Sequence, residues 1–371
     1  SFLLIIVIAI LFGIVFIFIK NINNIFINIF YLPILFSFFE FILSRIPSGF
    51  PWVSISAIIS SNQIGIYLIK IFGTQFTSFL IILIFMSPYL FIKYEKNLNY
   101  NLKVKLILIP TILISLISIL VLTLKNSENK DRQLVIDIFQ IEKSNKQYDE
   151  AYLTSVYEDI VKKIIDSDAD LIIFAENNYP YLIKDIKDLG IQKYLNPNQT
   201  VIIGGTRVHN SKYFNSLLSI NSNNAEYFDK KILVPFGEFL PFRKQLNFME
   251  IISGTQDYSI GQQPRLININ NEFSFIPVIC YEILFYWKIL NIKNKNSDLI
   301  INITNDIWFG KYLGPYQHFY ISKLRAAEFN KPLIRVSNNG ISSIIDNNGK
   351  ILKFIKLNNK AKLSYKMKIK K

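Results

Sequence analysis

The sequence predicts an α/β domain with two β-sheets, preceded by a bundle of transmembrane helices. Three observations lead there. Residues 1–125 hold long stretches of Ile, Leu and Phe, whereas 126–371 mix short apolar runs with polar segments. In the second part strand-like and helix-like patterns alternate at first and strands then cluster, the order of an α/β fold with two sheets. A polar linker, Lys125-Asn126-Ser127-Glu128-Asn129-Lys130-Asp131-Arg132, separates the parts, and 133–371 are enough for one sizeable core.

In the first part, Ser1–Ile19 is uncharged and long enough to span a bilayer. Ile25–Leu43 is a second candidate, Thr77–Ile92 a third and Leu106–Leu124 a fourth. Val53–Ile71 contains several Ser, Asn62, Gln63 and Lys70 and follows Ser48-Gly49-Phe50-Pro51-Trp52, so it reads as a re-entrant or interfacial piece. Lys20 and the loop 93–105, with Lys93, Lys96, Lys103 and Lys105 against Glu95, belong on the cytoplasmic side. Four spans then carry 126–371 out of the cytoplasm, into the periplasm of a double-membrane bacterium. Glu40, inside the second span, is expected to snorkel or make a structural hydrogen bond; a functional intramembrane acid is the other reading. The chain begins with Ser inside an apolar stretch and lacks a charged leader, so the sequence reads as truncated at its N-terminus.

In the second part, Leu134–Phe139 reads as a strand. Tyr148–Ile165 has helical spacing, with Tyr152, Val156, Ile160 and Ile164 on one face. Asp170–Glu176 is a buried strand ending in an acid. Thr200–Val208 follows, with Gly204-Gly205 where backbones approach closely. Next come Ser216–Ile220, the run Lys230–Glu238, the strand Phe275–Ile279 and the strand Ser297–Ile303. Tyr316–Phe329 fits a helix, and Leu333–Val336 and Ser342–Asp346 are strands. Asn347-Asn348-Gly349-Lys350 is a hairpin turn. Lys360–Lys371 reads as a solvated tail, with attraction to a lipid surface as the other option.

Composition narrows the function. The net charge is +14, mostly Lys, and no nucleic-acid module is visible, so membrane association is the better reading of the charge. A single cysteine excludes an intrachain disulfide. The two histidines, His209 and His318, have no ligand-spaced partners, which argues against a metal site or a Ser-His-Asp triad.

The single cysteine, Cys280, ends an apolar run and is followed by Tyr281 and Glu282. It reads either as a small buried hydrophobe or as a nucleophile. Glu176 and Lys230 also stand at strand ends. A carboxylate can take a thiol proton, and an ammonium can stabilise a tetrahedral oxyanion. Residue types leave the choice between solvated strand ends and a triad open.

Several motifs follow in order: Ala175-Glu176, Lys230-x-x-Leu233-Val234-Pro235-Phe236-Gly237-Glu238, Ile279-Cys280-Tyr281-Glu282 and Asn305-Asp306-x-Trp308-Phe309-Gly310. They resemble the nitrilase (carbon-nitrogen hydrolase) superfamily, and most closely its membrane-tethered branch, the apolipoprotein N-acyltransferases. Gly314-Pro315-Tyr316-Gln317-His318-Phe319, Arg325-Ala326-Ala327-Glu328, Ser337-Asn338-Asn339-Gly340 and Gly49-Phe50-Pro51-Trp52 add to the resemblance.

The resemblance implies a four-layer αββα domain on a membrane helical bundle, working as a monomer without cofactor. It implies Glu176 as general base, Lys230 as oxyanion stabiliser and Cys280 as nucleophile. Glu238 and Glu282 would support the site, Tyr281 would help hold the oxyanion through its N–H, and Trp308 would lie near the pocket. The implied reaction moves an acyl chain from a phospholipid, through a thioester, to the α-amino group of a lipoprotein's diacylglyceryl-cysteine. Ala175 stands where the family has Pro, and Ile232 where it has His. The family also has a further membrane helix after the domain. The alternatives are a membrane-bound amidase and a non-catalytic remnant that binds lipoprotein or lipid. His318 reads as a helix-start residue or a substrate contact, and Asn305 and Asp306 as a turn cap or part of the pocket.

Overall fold

The computed structural model describes residues 6, 9–10, 13, 25–45, 51–52, 54–94, 132–141, 149–250, 254–270 and 272–369. The chain divides into two compact units, Ser1–Ser127 and Glu128–Lys371.

In the first unit, α1 (Ile25–Leu43) coincides with the second expected span. The expected re-entrant piece is divided. A 3-10 helix covers Ile55–Ser61, Asn62 is extended, and α2 (Gln63–Tyr94) begins at once. The helix that holds the third expected span therefore starts earlier than Thr77. The polar residues Gln63 and Lys70 lie on the helix, and its one interruption is Gly73, at φ 74°, a value a glycine adopts without steric cost. Gln63–Phe85 is long and apolar enough to cross a membrane. Glu40 is held inside the unit. It accepts from Ser54 Oγ (3.0 Å), Ser78 Oγ (3.0 Å) and Ile55 N (3.2 Å), so its role here is a structural hydrogen-bonded anchor. Leu106–Leu124, most of Ser1–Ile19, Lys20, 95–105 and most of the linker lie outside the described residues.

The second unit is built from two six-stranded sheets. The first holds β1 (Arg132–Gln140), β2 (Leu171–Phe174), β3 (Thr200–His209), β4 (Lys212–Asn221) and β5 (Ala225–Asp229). The second holds β6 (Ile267–Ile269), β7 (Phe273–Ile279), β8 (Leu299–Asn305), β9 (Leu333–Asn338), β10 (Ser342–Ile345) and β11 (Ile351–Ile355). The final strand, β12 (Ala361–Ile369), returns to the first sheet, giving the orders β12-β1-β2-β3-β4-β5 and β11-β10-β9-β8-β7-β6. Each sheet has parallel pairings at its centre (β1–β2–β3 and β7–β8–β9) and antiparallel ones outside.

Strand periodicity sorts the side chains into layers. Ile136, Ile138, Leu171 and Ile173 of the first sheet share one core with Phe275, Ile279, Ile301, Ile303, Ile334 and Val336 of the second. The opposite face of the first sheet, with Ile172, Phe174, Val201 and Ile203, packs on Ile160 and Ile164 of α3 (Glu150–Ile165). The far face of the second sheet packs on α4 (Leu313–Glu328): Ser322 of α4 bonds Arg335 of β9. This is the αββα layering the resemblance implies for the domain. Asp149 caps α3 by accepting from Tyr152 N (2.8 Å), which is why the helix starts just after the expected Tyr148. The predicted hairpin turn connects β10 to β11, with Gly349 at φ 71°.

One expectation is corrected. The Lys-rich C-terminus is not a solvated tail. It is β12, paired antiparallel with β1 from Arg132↔Ile369 to Gln140↔Ala361. Leu363, Met367 and Ile369 are buried while Lys362, Lys366 and Lys368 point away, so the lysines are the wet face of an edge strand. The run Lys230–Glu238 opens at a strand end, where the sequence puts Lys230. The strand is β5, and Lys230 follows it into a tight turn where Phe236 N donates to Phe239 O.

Candidate active site

Glu176, Lys230 and Cys280 each stand just beyond the C-terminal end of a strand: β2, β5 and β7 respectively. The fold brings these distant positions together in one buried cluster. Lys230 Nζ lies 2.8 Å from Glu238 Oε1 and 3.6 Å from Glu176 Oε1. Asn215 Nδ2 donates to both carboxylates, at 2.7 Å to Glu176 and 2.8 Å to Glu238. The Cys280 side chain lies close to Glu176 and Thr304. Glu238 is fixed in turn by Val234 N (2.8 Å).

The local backbone is shaped for this. Cys280 has φ 51°, the left-handed region that L-residues enter only when their surroundings hold them there. Glu282 supplies part of that hold. It accepts from Ile279 N (2.9 Å), from Lys231 N (2.9 Å) and Ile232 N (3.2 Å), and from Arg265 in two bonds of 2.9 and 2.7 Å. One fully buried carboxylate thus ties the strand end at Cys280 to the segment after Lys230. Gly204 makes room for Glu176: a Cβ there would come within 2.6 Å of Glu176 Cα and Asn177 N.

Charge follows burial. Burial pushes the Cys280 thiol up to about 12, Glu176 adding to the rise and Lys230 opposing it. Burial raises Glu176 too; Lys230 pulls it down and Glu238 pushes it up. Burial alone would lower Lys230, but Glu238 and Glu176 outweigh it and keep the ammonium charged. The resting cluster is therefore a neutral thiol beside a carboxyl group of raised basicity and a firmly protonated lysine.

The remaining expected residues fall into place unequally. Tyr281 is buried and packs edge-on against Phe285, at 5.0 Å between ring centroids. Trp308 sits on the turn after β8 with its side chain 75% exposed, outside the buried cluster. Asn305 caps that turn by accepting from Ile307 N. Asp306 is buried and frames the site: it accepts from Arg335 (2.7 Å) and Ser337 (2.9 Å), and His318 Nδ1 lies 2.8 Å away. His318 is wholly buried with Nε2 3.3 Å from the Cys280 carbonyl oxygen, so it braces the Cys280 backbone. Ala175, in place of the family's Pro, uses the N–H that Pro lacks, donating to Asn178 Oδ1 (2.7 Å).

Asn215, Thr304, Arg265 and Arg335 were not expected, and Asn338 stood in the Ser337-Asn338-Asn339-Gly340 motif without a role of its own. Asn215 and Thr304 are single polar residues within strands, and nothing in their spacing marks them. Arg335 had a signal, a charge inside the apolar run Leu333–Val336. Such a residue must find partners once buried.

Most of this sheet pair falls within a family match. Residues 136–365 match the carbon-nitrogen hydrolase model, and residues 1–86 match the apolipoprotein N-acyltransferase N-terminal domain. The chain belongs to the carbon-nitrogen hydrolase family. Within it, 86% of the chain is 34% identical to an apolipoprotein N-acyltransferase of Rickettsia typhi and covers 66% of that protein. The same enzyme name is carried by a Rickettsia prowazekii relative, 33% identical over 86% of this chain and 66% of its own length. A Wigglesworthia glossinidia brevipalpis relative is 32% identical over 84% and 64%. The chain thus spans slightly under two thirds of the length of these curated relatives.

Proposed function

We propose that this protein is a membrane-bound apolipoprotein N-acyltransferase, with 1–125 as a multi-pass membrane part and 126–371 as the catalytic domain on the periplasmic side of the inner membrane. The observation that carries the reading is the buried Glu176–Lys230–Cys280 cluster in a chain whose first 86 residues match an acyltransferase-specific domain.

The chemistry runs in two halves. Cys280 gives its proton to Glu176 as its sulfur attacks the ester carbonyl of a phospholipid. The oxyanion forms beside the Lys230 ammonium, which holds three N–H donors, one of them directed at Glu238. The C–O bond breaks, protonated Glu176 returns the proton to the leaving alkoxide, and a lysophospholipid departs. The neutral α-amine of a diacylglyceryl-cysteine then attacks the thioester. Glu176 takes the amine proton, the C–S bond breaks, and the proton returns to sulfur. Both substrates are membrane-resident, so a membrane-held enzyme meets them at high local concentration. Burial of the thioester favours the amine over water. An amidase would use the same cluster, but the match over 1–86 favours the acyltransferase.

Intact mass after incubation with phospholipid tests the first half. One acyl mass is expected on the protein, removable by hydroxylamine and absent from Cys280→Ala. A folded protein that gains no acyl mass would overturn the reading.

A further inference from the structure

Glu176 and Cys280 belong to different sheets. The base follows β2 of the first sheet, and the nucleophile follows β7 of the second. Their separation is therefore a distance between sheets. The contact between the sheets is mostly aliphatic. Apolar packing is non-directional and does not by itself fix how far one sheet has slid along the other.

At the end where the cluster lies, polar side chains cross from sheet to sheet. Asn338, the last residue of β9, donates from Nδ2 to the Glu176 carbonyl (2.8 Å). Asn178 Nδ2 donates back to Asn338 Oδ1 (2.9 Å), and Asn178 Oδ1 accepts from Ala175 N (2.7 Å). Asn338 and Asn178 are 0% and 2% exposed. Next to them Gln140 of β1 donates to Gly340 O (2.9 Å) and accepts from Ser342 Oγ (2.6 Å). The same strand reaches the nucleophile: Arg335 and Ser337 of β9 hold Asp306, and Asp306 holds His318 against the Cys280 carbonyl. Both carbonyls, of Glu176 and of Cys280, are thus referenced to β9.

We infer that Asn338 is a positioning residue that sets the distance between the Glu176 base and the Cys280 thiol across the two sheets, with Asn178 as its clamp. The clamp uses the Ala175 N–H, so it depends on the departure from Pro at that position. The inference rests on Glu176 acting as base to Cys280, and not on the identity of the acyl donor or acceptor. The groups facing Glu176 are Lys230, Glu238, Asn215 and Cys280, and none of them is altered by changing Asn338.

Cys280 is the only cysteine, so its alkylation by iodoacetamide can be followed by intact mass of the full chain in detergent. Asn338→Ala is expected to slow alkylation about ten-fold or more, the scale of a sub-ångström to ångström misplacement. Glu176→Gln is expected to slow it too, and the double variant should be no slower than Glu176→Gln alone. That non-additivity is the signature of one group acting through the other; a merely structural role would add. Asn178→Ala leaves Asn338 and the cluster in place and should show the same coupling at about three-fold or more. It decides the matter if Asn338→Ala does not fold. Full alkylation rates in folded variants, or additive losses, would overturn the inference, as would an unaffected rate in Glu176→Gln. Coupling retained in a protein that transfers no acyl chain would overturn the acyltransferase reading alone.

Discussion

A neutral thiol, a carboxyl group of raised basicity and a permanently charged lysine fit a reaction in which the proton moves only when a carbonyl arrives. Glu176 works as base only when ionised, and burial raises it above the ordinary carboxylate range. As pH falls, thioester formation should therefore fade with a midpoint above about 4.3, the value of a free glutamate. A single-turnover rate profile against pH checks this. Glu176→Gln should lower the plateau about 100-fold or more. Glu282 behaves in the opposite sense. Burial works against its charge, but Arg265 and the backbone N–H groups outweigh it and hold it below its ordinary value. Its contribution to stability is thus present above about 4.3 and is lost as pH falls through the lowered folded value. Glu282→Gln leaves the Arg265 guanidinium buried without its counter-charge. It should cost about 3–5 kcal/mol in urea unfolding.

Most elements were legible because their apolar runs keep strand or helix period. The strands around Cys280, Glu176 and Asn302 were marked by continuous apolar residues, as buried parallel strands are. β12 was not legible, because its alternating lysines look like a charged tail unless the buried Leu363, Met367 and Ile369 are read at period two. Lys230 was legible as a strand-end residue, but the turn that brings Glu238 back to it was not, because Ile232, Leu233 and Val234 continue an apolar run through it. Candidate residues at strand ends could be named from the sequence. Glu238 and Glu282 were named through the resemblance, but the other supports could not be, because Asn215, Thr304 and Arg265 gain meaning only from contacts between segments distant in the sequence. Gly204→Ala gives an element-scale test. The added Cβ would meet the backbone of Glu176, so thioester formation should fall while α3 and β12, far along the chain, keep their hydrogen-exchange protection.

At the scale of the molecule, the two sheets each present one partner of the proposed base–nucleophile pair, Glu176 and Cys280, and Lys230 joins Glu176 on the first sheet. A site divided in this way works only while the two sheets keep their register, which is the task assigned to β9. Removing β12 by ending the chain after Asn359 should uncover the β1 edge and its apolar face. Loss of soluble detergent complexes on size-exclusion chromatography would show it. The most direct test of the whole account supplies both substrates. Purified protein is given a phospholipid with an isotope-labelled acyl chain and a diacylglyceryl-cysteine peptide, and the peptide mass is read. The account predicts that the peptide gains one labelled acyl group on its α-amine, with one lysophospholipid formed for each, and that Cys280→Ala forms neither. Labelled fatty acid released to water, with the peptide unchanged, would contradict it.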